Sequence, residues 1–98
     1  GFERKFAHDE EMRFKANARR NRLLGLWAAE KLGISGDEAS EYAKAVVRAD
    51  FQAPGDDDVF QKVREDFAAK VVQQSDRQLR RTRDELLLEA MRQIADEA

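Results

Sequence analysis

Cysteine is absent from this chain, proline and histidine each occur once, and no apolar run approaches the ~20 residues needed to cross a bilayer. Without cysteine there is no disulfide, no thiolate metal site and no cysteine nucleophile. A single histidine leaves little for imidazole-based metal or acid–base chemistry. No charged stretch followed by an apolar core opens the sequence, so no secretory signal peptide is read and a cytoplasmic protein is the default expectation. The first residue is Gly1, so the natural start is expected upstream of it. Charge of one sign is lacking too: 18 basic and 20 acidic side chains leave a net charge of −2. No global field therefore draws the molecule to nucleic acid or to anionic lipid.

What remains is a short chain of 98 residues, 42% hydrophobic and 39% charged. That length allows one domain, and the composition can bury a core only if apolar residues are gathered onto helical faces. Charge is uneven. Residues 1–22 carry +3, while residues 23–98 carry −5. Between positions 13 and 22 stand Arg13, Lys15, Arg19, Arg20 and Arg22 with no acid among them. The N-terminal part is a distinct electrostatic unit.

Four helices follow from the punctuation. The first is predicted from about Phe2 to Leu32, ending at Gly33 in the left-handed position that closes many helices. Ser35 and Glu38 have the spacing of a capping box and open a second helix with Ala39, Tyr42, Ala43, Val46, Val47 and Phe51 on one stripe. Ala53-Pro54-Gly55 breaks it, and Asp56 is placed to cap a third helix. Asp57 and Asp58 suit its first turn, and Val59, Phe60, Val63, Phe67 and Val71 form its stripe. Ser75 and Gln78 make a second capping box before a last helix carrying Leu79, Leu86, Leu87, Met91 and Ile94. No segment sustains a period of two. The fold class is all-α, with a four-helix bundle as its expected architecture, and Trp27 is expected to anchor the core.

The first segment reads as two pieces. Met12, Ala16, Leu23 and Trp27 share one face, Ala7, Phe14 and Ala18 lie roughly opposite, and Phe2 and Phe6 form an i,i+4 pair. Either Phe2 and Phe6 pack on the bundle, or residues 1–16 are a mobile helix whose aromatics enter a partner's groove. Residues 17–98 then form the four-helix core.

No enzyme is read from these residues. His8 and Glu11 form an i,i+3 pair, but a carboxylate-bundle metal site needs a second histidine. Asp56-Asp57-Asp58 lacks calcium-loop spacing and is better read as capping. Ser35 and Ser75 are caps, no Gly-rich phosphate loop occurs, and no cofactor is expected. The rival reading is an anion, nucleotide or nucleic-acid face built from Arg19, Arg20 and Arg22 with Arg77, Arg80, Arg81 and Arg83. The acids interleaved with the later arginines, Asp76, Asp84 and Glu85, point instead to solvated ion pairs. A helical interaction module with such a weak basic face remains the alternative.

The strings Lys5-Phe6-Ala7-His8-Asp9-Glu10-Glu11-Met12-Arg13-Phe14-Lys15, Ala18-Arg19-Arg20-Asn21 and Leu23-Leu24-Gly25-Leu26-Trp27-Ala28-Ala29-Glu30 stand out together. With Tyr42-Ala43-Lys44, Val46-Val47, Asp50-Phe51, Pro54-Gly55-Asp56 and Asp58-Val59-Phe60, they resemble the zeta-subunit family of alphaproteobacterial F-type ATP synthase inhibitors. The similarity runs over essentially the whole chain. It implies a four-helix fold with a mobile N-terminal segment. That segment becomes helical on entering a catalytic interface between alpha and beta subunits, against gamma, and blocks hydrolytic rotation. Relatives usually carry several residues before the position of Phe2. Carried over, the resemblance makes Phe2, Lys5, Phe6, Glu10, Glu11, Arg13, Phe14 and Lys15 the partner-binding residues. It also puts the chain in the cytoplasm, peripherally attached to the membrane-bound synthase.

Overall fold

The computed structural model describes residue 4, residue 6, residues 8–50 and residues 57–97. Among them the backbone forms four helices and no strand: α1 (Glu10–Leu32), α2 (Gly36–Ala49), α3 (Asp57–Ala69) and α4 (Asp76–Glu97). No described helix is long and apolar enough to cross a membrane. Phe2, Lys5, Phe51, the Ala53-Pro54-Gly55 break and the Asp56 cap lie outside the described residues.

The predicted first helix is not continuous. Arg4, Phe6 and His8 are helical, but Asp9 is extended at φ −116° and ψ 109°. Its carboxylate accepts a hydrogen bond from the Met12 amide at 3.1 Å, so Asp9 is a true N-cap and α1 starts afresh at Glu10. Glu10 and Glu11 then sit where the helix dipole favours acids. From there α1 runs unbroken through position 16 to Leu32. It closes on Gly33 at φ 77°, with the Ile34 amide donating to the Ala29 carbonyl at 2.8 Å, as the sequence predicts.

The buried stripe of α1 differs in phase from the expected one. Ala16, Arg20, Leu24 and Ala28 face inward with Asn21, Gly25 and Ala29, while Met12, Leu23, Leu26 and Trp27 are only half-buried. Close approach explains the shift. A Cβ on Gly25 would stand 2.7 Å from the Ala43 Cα of α2, so small residues hold the line where the two helices cross. The larger side chains are displaced to its flanks. Helix α1 packs most extensively on α2 and next on α4.

The core gathers Leu24 and Ala28 from α1, Val46 from α2, Val59, Phe60, Val63 and Phe67 from α3, and Leu79 from α4. Trp27 packs against this cluster edge-on to Phe67, with ring centroids 5.7 Å apart, but it is not enclosed. Each of the large aliphatic or aromatic core side chains contributes roughly 1.5–3 kcal/mol by burial.

Two further expectations need correction, and one holds. Ser35 lies before α2 but makes no side-chain cap hydrogen bond; Gly36 has φ 62°, so the first turn lacks the regular geometry a capping box spans. Val71 does not extend the α3 stripe. The helix has ended at Ala69, and Val71 takes φ 57° and is 82% exposed, while Val72 turns back and donates to the Phe67 carbonyl at 2.8 Å. Ser75 does form its box: the Gln78 amide donates to Ser75 Oγ at 3.1 Å, and the Ser75 amide donates to Gln78 Oε1 at 2.9 Å.

Polar ties join the helices. The Tyr42 hydroxyl donates to Asp66 Oδ2 at 2.7 Å, and Lys62 reaches the same oxygen at 3.1 Å. Arg64 pairs with Asp76 at 3.3 Å between α3 and α4. At the far end Arg19 of α1 pairs with Glu97 of α4 and donates to Gln93 Oε1 at 3.3 Å.

Candidate functional site

Residues expected to bind a partner lie on both sides of the Asp9 junction. On its N-terminal side Phe6 is fully buried (0% exposed) and His8 is exposed. The aromatic expected to face a partner is therefore packed away in this state. On the C-terminal side the first turns of α1 present Glu10, Glu11, Arg13, Phe14 and Lys15 to solvent, and Phe14 is 59% exposed. Lys15 and Glu11 form an i,i+4 pair at 3.6 Å, both well exposed, a contact worth little in water. Beneath this surface Ala16 and Arg20 are buried, with the three positions between them half-buried.

Arg20 is the second departure. It is 1% exposed, with Nε and Nη2 donating to Asn21 Oδ1 at 3.0 and 2.8 Å, so it belongs to the interior and not to an anion-binding face. The burial of this charged side chain is invisible in the sequence, where Arg20 looks like its neighbours Arg19 and Arg22.

Nor do the other arginines meet on one surface. Arg77, Arg80 and Arg81 border a shallow depression beside Leu88. There Arg81 pairs with Glu85 at 3.1 Å, Arg83 pairs with Asp84 at 3.4 Å, and Arg80 lies over the Phe60 ring at 5.0 Å. Arg19 and Arg22 border a different groove. Among the described residues no group of three or more His, Asp or Glu side chains is arranged to hold a metal ion.

That second groove, of about 910 Å³, lies among α1, α2 and α4. Met12, Phe14 and Ala18 of α1, Val47 of α2 and Ile94 of α4 supply its apolar lining. The Arg19–Glu97 pair crosses its border, and the hydrogen bonds from Arg19 hold the Glu97 carboxyl below its usual range. Beyond Arg22 it runs into a smaller hollow bordered by Lys44, Val47 and Arg48. The sequence reads Val47 and Ile94 only as stripe residues; that they flank a shared groove depends on helix placement.

A family model described as "ATPase inhibitor subunit zeta" matches residues 1–93. A solved structure, determined in solution by NMR, is 47% identical to this chain and superposes with a TM-score of 0.78. The match covers 89% of this chain and 99% of that one. No curated protein matches.

Proposed function

Since the chain belongs to the ATPase inhibitor subunit zeta family, we propose that it is a regulatory, non-catalytic partner of an F-type ATP synthase that stops ATP hydrolysis by inserting its N-terminal helix, residues 1–16, into an alpha–beta catalytic interface against gamma. It acts in the cytoplasm, attached peripherally to the membrane-bound synthase. The observation that carries this reading is the family match across residues 1–93, which takes in the N-terminal string Lys5–Lys15.

The Asp9 junction supplies a mechanism. Arg4, Phe6 and His8 are already helical, and α1 buries one side of its surface from Ala16 onward. Straightening Asp9, the extended residue among those described, would produce a single projecting helix. Its exposed Glu10, Glu11, Arg13, Phe14 and Lys15 would continue into Phe6, Lys5 and Phe2. Release of Phe6 forfeits roughly 1.5–3 kcal/mol of burial, and loss of the Asp9 cap about 1 kcal/mol more. The open form would then be on the order of one chain in a hundred to a thousand, and the partner must return that free energy through its own apolar contacts. In such an interface aromatics act as anchors, while charges set register and on-rate.

Phe14 separates fold from function better than Phe6 does. Phe6→Ala removes a buried ring and should lower stability as well as inhibition. Phe14→Ala alters an exposed ring, so hydrolysis assays on cognate catalytic heads should show inhibition weakened by roughly thirtyfold, the loss of an interface anchor. The melting midpoint should barely move. Inhibition that survives both Phe14→Ala and deletion of residues 1–8 would remove the N-terminal helix from the mechanism.

A further inference from the structure

We propose that the groove among α1, α2 and α4 is a docking site for an amphipathic helix of a partner protein, one that carries acidic side chains beside its apolar face. It goes beyond the insertion reading: Met12 and Phe14 belong to the segment that reading inserts, and here Ala18, Val47, Ile94 and the cations around Arg22 extend the contact onto the body of the bundle. It rests on that reading only for the choice of probe.

The length, lining and charge of the groove all point to this occupant. Along α1 the groove runs from Glu11 to Arg22, about 16 Å at the helical rise, or three turns. Met12, Phe14, Ala18, Val47 and Ile94 give it an apolar lining of the kind that receives helix side chains at i, i+3, i+4 and i+7. The cations are concentrated at one end. Arg22, Lys44 and Arg48 are all exposed around the adjoining hollow of about 240 Å³. Arg22 and Arg48 take part in no ion pair among the described residues, and Lys44 has only the exposed Glu41 at 3.3 Å.

Elsewhere along the groove the positive charges are already matched, Lys15 by Glu11 and Arg19 by Glu97. A phosphate backbone asks for cations along its whole track. Arg22 and Arg48, in no ion pair among the described residues, stand with Lys44 at one end of an apolar trough and complement a helix with carboxylates at that end. Such complementarity chiefly sets orientation and encounter rate, and it weakens with salt.

The test uses the full chain and the purified catalytic head of the cognate F-type ATP synthase as probe. Wild type is compared with the triple variant Arg22→Glu, Lys44→Glu, Arg48→Glu, whose exposed sites should leave the melting midpoint unchanged. Binding is measured at low and high ionic strength, and a photo-crosslinking residue in place of Val47 identifies what lies in the groove. Expected are an affinity loss of about tenfold or more at low salt, a smaller loss at high salt, and cross-links to an acidic amphipathic helix of the head. Equal affinities, or cross-links to a segment without carboxylates, overturn the proposal while leaving the inhibitor reading intact. Cross-links to a second copy of this chain, with a dimer abolished by the triple variant, overturn it in favour of self-association. A wild-type chain that does not bind the head overturns both readings; one that binds through the groove without inhibiting hydrolysis upholds only this one.

Discussion

Replacing Gly25 by Ala adds one methyl group where α1 closely approaches α2. In an exposed helix that change would stabilise the chain by about 0.8–1.0 kcal/mol, because Gly is the poorer helix former. Here the new Cβ would stand 2.7 Å from Ala43 Cα, 3.1 Å from Ala43 Cβ and 3.3 Å from Val46 Cβ. Carbon atoms prefer about 3.5–4.0 Å. The nearest obstacle is a backbone atom, which no rotamer change can move, so α2 as a whole must retreat from α1. Overpacking of this kind costs about 1–3 kcal/mol and occasionally more. Because α1 packs on α2 more extensively than on any other helix, the upper part of that range applies. The expected net loss is about 1–2 kcal/mol, or roughly 5–15 °C in the melting midpoint of a domain this small. Thermal melts followed by far-ultraviolet circular dichroism, with urea unfolding for the free energy, measure it. The double variant Gly25→Ala, Ala43→Gly sharpens the test: it removes the 3.1 Å neighbour and leaves the 2.7 Å one, so little stability should return. A Gly25→Ala chain as stable as wild type, or more so, would refute the close-crossing explanation and with it the reason given for the phase of α1's buried stripe.

Val71→Gly should stabilise the chain by about 1–2 kcal/mol, since a β-branched residue at φ 57° is strained and its 82% exposure means little packing is lost; urea unfolding decides, and no gain would show the strain is absent. Burial, reinforced by the Asp66 carboxylate, holds the Tyr42 hydroxyl well above the usual tyrosine range in the folded state. Its contribution is therefore complete below about pH 10, where the unfolded phenol begins to ionise, and falls as pH rises further. Stability measured between pH 8 and 11 should decline more steeply for wild type than for Tyr42→Phe, and parallel curves would contradict this. Asp9→Ala removes the N-cap of α1 and favours the straightened helix, so it should increase inhibitory potency about fivefold while lowering the melting midpoint slightly. Unchanged or weaker inhibition would argue against Asp9 as the hinge.

What the sequence revealed was local. Gly33 and the Ser75–Gln78 box end and begin helices through contacts within a few residues, and both stand where the pattern puts them. The stripe Val59, Phe60, Val63 and Phe67 was equally legible, since a large apolar set at helical spacing has one face to bury. Features set by how helices cross were not. The Leu23–Trp27 string draws attention by its hydrophobicity, yet the crossing at Gly25 selects small residues for the innermost line and leaves Trp27 on a flank. Arg20 is buried and bonded to Asn21, and no neighbour in the chain announces it. For the candidate site, the exposed surface of Glu10, Glu11, Arg13, Phe14 and Lys15 could be read, but the break at Asp9 and the burial of Phe6 could not. Asp9 followed by Glu10 and Glu11 is a good helix start in hindsight. Inside a longer helical pattern it reads as one more charged residue.

The central claim is that this chain arrests ATP hydrolysis through its N-terminal helix. The most direct measurement is the hydrolysis rate of purified cognate catalytic heads titrated with the full chain, beside the same chain lacking residues 1–8. Saturable inhibition by the first and little or none by the second is expected, with both bundles folded. Equal inhibition by the two, or none by either, would contradict it.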